Sequence, residues 1–318
     1  MRSTVRRYLP LAVALVSVLV AAAALAVGWH YHERNRHQQA AGNPRTHSGF
    51  PDGSDTGVPP GTRLTRVPAD RTSGDGWAWN KYGWVQVTAA NARLSGLDID
   101  GSLHSTVSGV TITDTRIRCT GENDWCLSIG SHTTVTDTEI GGQSDGHSFG
   151  KAAGVLSVGS DAGNLLQRLN VHNTSDGLRL DGGTRLADSW VHDLIMGDPA
   201  DPGAHSDGVQ STGGGNVVIE GNRFETGNNC NVFVQWLAGQ PPVTEYTVTG
   251  NYFGSGNRNG QQTSYGVCIY GSNVDGPVTV TGNVFSRGWQ VGAATVPPAA
   301  VVSGNRYADG APVTPVSR

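Results

Sequence analysis

The sequence predicts an all-β solenoid of about nine to ten coils, in which parallel strands stack from one coil to the next. Two observations predict it. A short strand-and-corner phrase recurs nine times within 318 residues, and no amphipathic helical pattern occurs outside the N-terminus. The 45 glycines, together with many threonine, valine and asparagine residues, favour strands and turns over helices.

Each copy of the repeat contains strand residues, a small polar or Gly-Asn corner, and then an apolar residue. One of the clearest copies runs from Tyr246 to Phe253. The spacing suits a coil of roughly 20 residues with an added loop of variable length. The third position of each copy defines a marker column: Leu94, Ile112, Val135, Leu166, Leu186, Ile219, Val248, Val280 and Val302.

Two further columns follow from this alignment, because equivalent positions of a β-helix stack about 4.8 Å apart. The first is an expected asparagine ladder, in which each side-chain amide bonds the next: Asn222, Asn251, Asn283 and Asn305. The second is an expected inward apolar stack: Ile99, Ile117, Ile140, Val171, Val191, Phe224, Phe253, Phe285 and Tyr307. Both columns are structural, so neither is assigned a catalytic role.

With these columns the chain resembles the right-handed parallel β-helix (pectin-lyase-like) proteins of secreting bacteria. The resemblance covers most of the chain, and its supporting stretches are residues 49–62, 94–99, 110–117 and 205–210. It implies a right-handed, single-stranded parallel β-helix domain, which we assign to residues 49–318. It also implies a polysaccharide partner, but members of this fold differ in activity, so the fold alone does not name one.

Residues 1–29 are expected to form a hydrophobic helix that serves as a signal peptide or membrane anchor. A basic start precedes an uncharged run from Tyr8 to Trp29, which is long enough to span a membrane. Ala24-Leu25-Ala26 also matches a signal-peptide cleavage site. Residues 30–48 are polar and predict a flexible linker. We therefore expect an extracytoplasmic β-helix, either secreted or anchored, whose only membrane contact is this segment.

Charge and cysteine content narrow the possible partners and the compartment. The formal net charge of −4 argues against nucleic-acid binding, and we expect a monomer. Four cysteines in an exported chain fit disulfides. Cys119 and Cys126 flank a short loop and are expected to pair. Cys230 and Cys268 align about three positions out of register, beyond disulfide reach. Either that alignment slips or these two cysteines stay free.

A second aligned strand layer carries the candidate functional residues. Strand alternation directs Arg179, Gln210 and Phe233 to solvent, with Arg179 and Gln210 on neighbouring coils. Asp176 and Asp207 stack just before them, and His205 lies two residues further upstream. The gaps of 31 and 33 residues between marker residues, from Val135 to Leu166 and from Leu186 to Ile219, mark polar loops on either side of this strand face, where function is common.

The favoured interpretation is lyase-type cleavage of a uronate-containing glycan. A base removes the proton α to the uronate carboxyl group, and the developing charge requires cations. Lys151 or Arg179 is the expected base, and the other cation neutralises the carboxylate. Asp176 and Asp207 are the expected ligands of Ca²⁺, a hard ion that prefers carboxylate oxygens. His205 and Asp207 complete the predicted catalytic group.

Two alternatives remain open. In a polysaccharide hydrolase, Asp176 and Asp207 form the carboxyl pair, and stacking on adjacent coils allows the ~5 Å separation of a retaining enzyme. In a non-catalytic carbohydrate-binding or structural β-helix, Phe233, Trp236 and Tyr270 stack on sugar rings. Gln210, Phe233 and Trp236 are the predicted substrate contacts in the cleavage interpretations. A purely structural role also exists for the Asp-Gly pairs, whose carboxylates cap backbone amides in turns.

Overall fold

The computed structural model describes residues 49–119, 125–142, 153–157, 162–195, 205–258 and 260–316. In these ranges every regular element is a strand, and no helix that could cross a membrane occurs among them. The expected N-terminal hydrophobic helix and linker, residues 1–48, lie outside the described residues. The strands form three sheets, here named A, B and C, so the predicted all-β solenoid is confirmed.

Each coil passes through the three sheets in the order C, A, B. One coil, for example, contributes Thr184–Ala187 to sheet C, Trp190–His192 to sheet A and Asp207–Ser211 to sheet B. Sheet A has 10 strands and sheet C has 9, in agreement with nine to ten coils. All pairings between strands of successive coils are parallel. Among the described strands, antiparallel pairing occurs only at the N-terminal end of sheet B, where Trp77–Trp79 pairs with Ser73–Gly74 on one side and with Trp84–Val87 on the other.

The strands are short, as expected for coils that turn three times per repeat. Sheet A contains Thr65–Val67, Leu97–Ile99, Arg116–Cys119, Glu139–Gly142, Asn170–His172, Trp190–His192, Arg223–Glu225, Tyr252–Phe253, Val284–Phe285 and Arg306–Tyr307. Sheet B contains Ser73–Gly74, Trp77–Trp79, Trp84–Val87, Ser102–Ser105, Trp125–Ile129, Ala153–Ser157, Leu178–Leu180, Asp207–Ser211, Asn228–Val234, Thr263–Ile269 and Gly292–Thr295. Sheet C contains Arg93–Ser95, Thr111–Thr113, Thr134–Thr136, Asn164–Gln167, Thr184–Ala187, Gly214–Glu220, Val243–Thr249, Val278–Thr281 and Val301–Ser303.

The marker column of the repeat is one continuous register in sheet C. From Leu94 to Val302, each marker residue pairs with the marker residue of the next coil. The inward apolar stack lies in the same way on sheet A, where Phe224, Phe253 and Phe285 are fully buried with ring centroids 5.1 to 5.3 Å apart. Both columns therefore form the core, as the repeat predicted.

The asparagine ladder also forms as predicted. The Oδ1 atom of Asn251 accepts hydrogen bonds from the backbone N–H of Asn222, at 2.9 Å, and from its Nδ2, at 3.0 Å. In turn, the Nδ2 of Asn251 donates to the carbonyl of Ile219, and its backbone N–H donates to the Oδ1 of Asn283. The pattern continues to Asn305. Each side chain thus satisfies buried backbone groups at a corner that strand pairing leaves unpaired.

Sheet B bends along a line that runs from coil to coil. Side chains normally alternate between the two faces of a strand, but Gly208 and Val209 both face the interior. Val209 belongs to the core, and a Cβ atom on Gly208 would lie 3.0 Å from the Phe224 ring. That Cβ would also lie 2.4 Å from the carbonyl oxygen of Asn231, so the bend requires glycine. Because two consecutive residues face inward, the side chains of the residues on either side of them, Asp207 and Gln210, point toward each other on the outer side of the sheet.

The concave line on the outer side of this bend is the sheet B groove. Its two walls follow from the strand register of successive coils. One wall contains Asp176, Asp207, Cys230 and Tyr265. The other contains Arg179, Gln210, Phe233 and Cys268.

Both cysteine pairs form disulfides. The predicted Cys119–Cys126 pair is confirmed, with Cα atoms 5.2 Å apart. The predicted three-position offset of Cys230 from Cys268 is also correct, because Cys230 pairs with Tyr265 in the strand register. The expectation that this offset puts the two cysteines beyond disulfide reach was wrong. They are bonded, with Cα atoms 6.4 Å apart, because the sheet B bend brings the two walls of the groove together.

Replacing Asn251 by alanine is expected to lower the free energy of unfolding by about 3 kcal/mol, because buried backbone donors and acceptors on two coils lose their partner. Urea unfolding followed by circular dichroism measures the change. Thr247→Ala, on the partly exposed outer face of the same coil, is the matched control. Equal losses in the two variants would contradict a special role for the ladder.

Candidate functional site

Asp176, His205 and Asp207 come together at one end of the sheet B strands, and we call them the site cluster. Their side-chain ligand atoms all lie within 4.8 Å of one another. Asp207 is the first residue of the strand Asp207–Ser211. Asp176 stands two residues before Leu178–Leu180 on the preceding coil, and His205 stands two residues before Asp207. The groove geometry therefore assembles three of the predicted catalytic residues.

One oxygen of each carboxylate has a structural role. The Oδ1 atom of Asp176 accepts the backbone N–H of Asp207 at 2.9 Å. The Oδ1 atom of Asp207 accepts the backbone N–H of Cys230 at 3.0 Å and the Nδ2 of Asn229 at 2.9 Å. The capping role considered for the Asp-Gly pairs is thus real, although the capped amide belongs to the next coil. It accounts for only one oxygen of each carboxylate.

The second oxygen of Asp207 is in an unfavourable environment for an ionised group. Asp207 is fully buried, and its Oδ2 has no hydrogen-bond partner among the described residues. The nearest basic side chain is that of His205, whose Nδ1 lies 3.8 Å away and which is 41% exposed. Burial of an unpaired carboxylate is costly. Such groups are retained more often at functional sites than elsewhere.

The two carboxyl groups of the site cluster hold protons more tightly than exposed carboxyl groups do. Burial, and next the charge of Asp176, raise the pKa of Asp207 to about 7. Burial also raises the pKa of Asp176. Because the two carboxyl groups repel each other when both are ionised, the pair retains one proton after the first has left, and that proton resides on the more buried Asp207.

Arg179 lies on the opposite wall of the groove and is engaged with other residues. Its Nε donates to Asp181 Oδ2 at 2.7 Å, its Nη2 donates to Thr212 Oγ1, and its Nη1 makes a long contact of 3.4 Å with Gln210 Oε1. The side chain is 25% exposed. A guanidinium group already carries its proton and presents only donors, which suits it to binding an anion. Arg179 is therefore a poor candidate for the predicted base.

The predicted substrate contacts are only partly brought to the site cluster. The Phe233 ring lies 5.9 Å from the His205 ring and 5.8 Å from the Tyr270 ring. Gln210 faces Arg179 on the same wall. Trp236 follows the strand at its other end and donates from Nε1 to the carbonyl of Gln240, at 2.8 Å. Phe233 and Gln210 therefore line the groove beside the cluster, whereas no described contact joins Trp236 to it.

The predicted base Lys151 lies outside the described residues, so its position relative to the cluster stays a prediction. Two residues that matter were not predicted. Asn229 donates to Asp207, and Asp181 neutralises Arg179. A signal for Asn229 was present, because it lies one position before Cys230, which is in register with Asp207. The position of Asn229 beside Asp207 can be inferred from this alignment only when the pairing of the two sheet B strands at the bend is known exactly.

The site cluster does not by itself fit the calcium ion expected from the sequence. Calcium takes six to eight oxygen ligands. The described residues here offer two carboxylates, and one oxygen of each already accepts backbone N–H groups. The third group is an imidazole, which is not a ligand that calcium prefers. The donors instead form an arrangement suited to proton transfer, in which an exposed histidine lies within 4.8 Å of a partly buried carboxylate and of a fully buried carboxyl group.

Comparison with known proteins supports the fold and leaves the chemistry open. A family model described as "right handed beta helix region" matches residues 146–305. No curated protein and no solved structure matches the chain. The matched span contains the whole site cluster and both walls of the sheet B groove.

Replacing Asp207 by asparagine is expected to stabilise the protein at pH 8 by roughly 2 kcal/mol. The folded wild type retains a proton that the unfolded chain releases at its ordinary, lower pKa. Its free energy of unfolding therefore falls as the pH rises from about 4 to about 7, and stays low above that range. Asparagine does not ionise and avoids this loss. Urea unfolding between pH 4 and pH 8 measures both curves.

The exposed Asp75→Asn substitution is the control, because it removes a carboxyl group without removing a buried one. If Asp207→Asn unfolds with the same pH dependence as the wild type, the buried carboxyl group is not the source of that dependence.

Proposed function

The chain belongs to the right-handed β-helix family, and on that premise we propose that it hydrolyses glycosidic bonds of a polysaccharide at the site cluster. The observation that carries the proposal is the fully buried, proton-retaining carboxyl group of Asp207 directly behind the exposed His205. Pairs of neighbouring titratable groups whose environments push their pKa values apart are typical of acid–base catalysis.

The exposure of each group suggests its role. Asp207 is too deeply buried to touch a glycan, so it supplies a proton to His205 and receives it back. His205, at the surface, donates this proton to the oxygen of the leaving sugar. Asp176 is partly exposed and lies within 4.8 Å of His205, a separation that suits a carboxylate nucleophile, so its carboxylate attacks the anomeric carbon as the leaving sugar departs. Water then releases the bound sugar from Asp176, and His205 takes a proton from this water. That proton replaces the one donated, and the cluster returns to its starting state.

Local charge favours hydrolysis over elimination from a uronate. The described residues of the site cluster and its neighbours include the carboxyl groups of Asp176, Asp181 and Asp207, against one guanidinium that Asp181 already neutralises. Such a groove repels a polyanion and gives little stabilisation to the charge that develops on a uronate carboxyl group. A neutral polysaccharide suits it better.

Lyase-type cleavage of a uronate-containing glycan is the second candidate. The observation that favours it is the partly exposed guanidinium of Arg179 on the wall opposite His205. In this version His205 removes the α proton and Arg179 binds the carboxylate, with Lys151 as a further cation. Export from the cytoplasm is part of either proposal, and the two disulfides are consistent with it.

A panel of neutral and uronate-containing polysaccharides tests these proposals. We expect new reducing ends from a neutral polymer, without the ultraviolet absorbance of an unsaturated uronate. His205→Ala is expected to lower kcat about 100-fold or more, the usual contribution of a general acid or base. His132→Ala, an exposed histidine elsewhere on the solenoid, is the matched control and is expected to keep full activity.

The two readouts separate the candidates. Ultraviolet absorbance that appears together with the reducing ends would replace hydrolysis by elimination. Retention on immobilised glycans with neither signal would leave a carbohydrate-binding β-helix and reject both forms of cleavage.

The rate of hydrolysis should also depend on the proton of Asp207. Because this proton must be present, kcat is expected to fall as the pH rises through about 7, where the raised pKa of Asp207 lies. In Asp207→Asn the remaining activity should be low and should lack this alkaline decline. An unchanged alkaline limb in the variant would assign the titration to another group.

A further inference from the structure

The Cys230–Cys268 disulfide joins the two walls of the sheet B groove immediately beyond the site cluster. Cys230 is in register with Asp207, on the next coil, and Phe233 is in register with both Gln210 and Cys268. The covalent bridge therefore begins one coil spacing, about 4.8 Å, past Asp207 along the solenoid axis. That distance is about the length of one sugar ring.

Side chains fill the groove around this bridge. Cys230, Cys268 and Tyr265 are only 1%, 0% and 3% exposed, respectively. Phe233 and Tyr270 pack against the three of them and remain partly exposed. On the C-terminal side of Asp207 the described residues therefore leave a wall, not a continuing channel.

The groove differs on the N-terminal side of the cluster. There the wall that contains Arg179 continues through Leu156 and Ser128, both partly exposed. The opposite wall continues to the small, buried Ala153 and then to the partly exposed Trp125. No disulfide joins the two walls among these described residues. Among the described residues, a covalent link between the two walls therefore occurs on the C-terminal side of the cluster and not on its N-terminal side.

From this asymmetry we infer that the Cys230–Cys268 disulfide is the end wall of the substrate groove and restricts cleavage to the ends of polysaccharide chains. The inference rests on the proposed cleavage of a polysaccharide and adds that this cleavage takes place at chain ends. The cluster lies against the wall, so only a terminal sugar, or a very short terminal segment, can occupy the space between them. The rest of the chain lies over the N-terminal coils.

The product pattern of the wild-type protein is the primary test. The polysaccharide cleaved in the panel is digested while reducing ends, product size and solution viscosity are followed together. Chain-end cleavage releases short products from the start, and reducing ends rise several-fold before the viscosity has halved. An early fall in viscosity, with products of intermediate length, would overturn the end wall while leaving cleavage itself intact. Absence of cleavage on every polymer would instead reject the proposed function, and this inference with it.

Removal of the wall gives a second test. Cys230→Ala/Cys268→Ala is expected to shift the pattern toward internal cleavage, with the viscosity falling several-fold earlier at the same number of reducing ends. Cys119→Ala/Cys126→Ala removes the other disulfide and should keep the wild-type pattern.

A further variant covers the case in which the Cys230/Cys268 protein does not fold. Tyr270→Ala shortens the wall but leaves the disulfide in place, and circular dichroism checks that the β-helix remains folded. A folded variant of either kind that keeps strict chain-end cleavage would show that the wall does not set the mode.

Discussion

The backbone hydrogen bonds between successive coils hold every residue of one coil in line with its counterparts above and below. These parallel pairings align nine marker residues in sheet C and the inward apolar stack in sheet A. The asparagine ladder adds side-chain bonds at a corner where backbone groups would otherwise be unpaired. Because the strands of each coil pair only with those of the neighbouring coils, the same register must be satisfied at every step of the solenoid.

The sheet B bend brings the side chains of the site cluster together within this register. Two consecutive inward residues, Gly208 and Val209, turn the strand so that outward side chains three positions apart converge. The bend buries Asp207 beside Asp176, and the buried carboxyl group retains a proton at the expense of stability. Natural proteins tolerate such a cost mainly where it serves activity. The Cys230–Cys268 bond ties the same bend together one coil later.

Positions that repeat from coil to coil and positions that vary therefore have different roles in this chain. The columns that repeat form the core and carry no chemistry. The wall positions of the groove change from coil to coil, as Asp207, Cys230 and Tyr265 occupy equivalent places on three successive coils. A rigid scaffold with one variable line of outward residues can thus place a cluster of titratable side chains next to a disulfide.

The sequence by itself predicted the fold, because an apolar residue that recurs at a constant offset from a polar corner is typical of stacked coils. It predicted the columns, the second strand layer and the convergence of Asp176, His205 and Asp207, since strand alternation and register follow from local pattern. Only the tertiary structure decided the hydrogen-bond partners of Arg179 and the pairing of Cys230 with Cys268. Both depend on the bend, where two neighbouring residues face inward and alternation no longer holds. Burial of Asp207 was likewise decided in three dimensions, because desolvation depends on what packs around a carboxyl group and not on its neighbours in the chain.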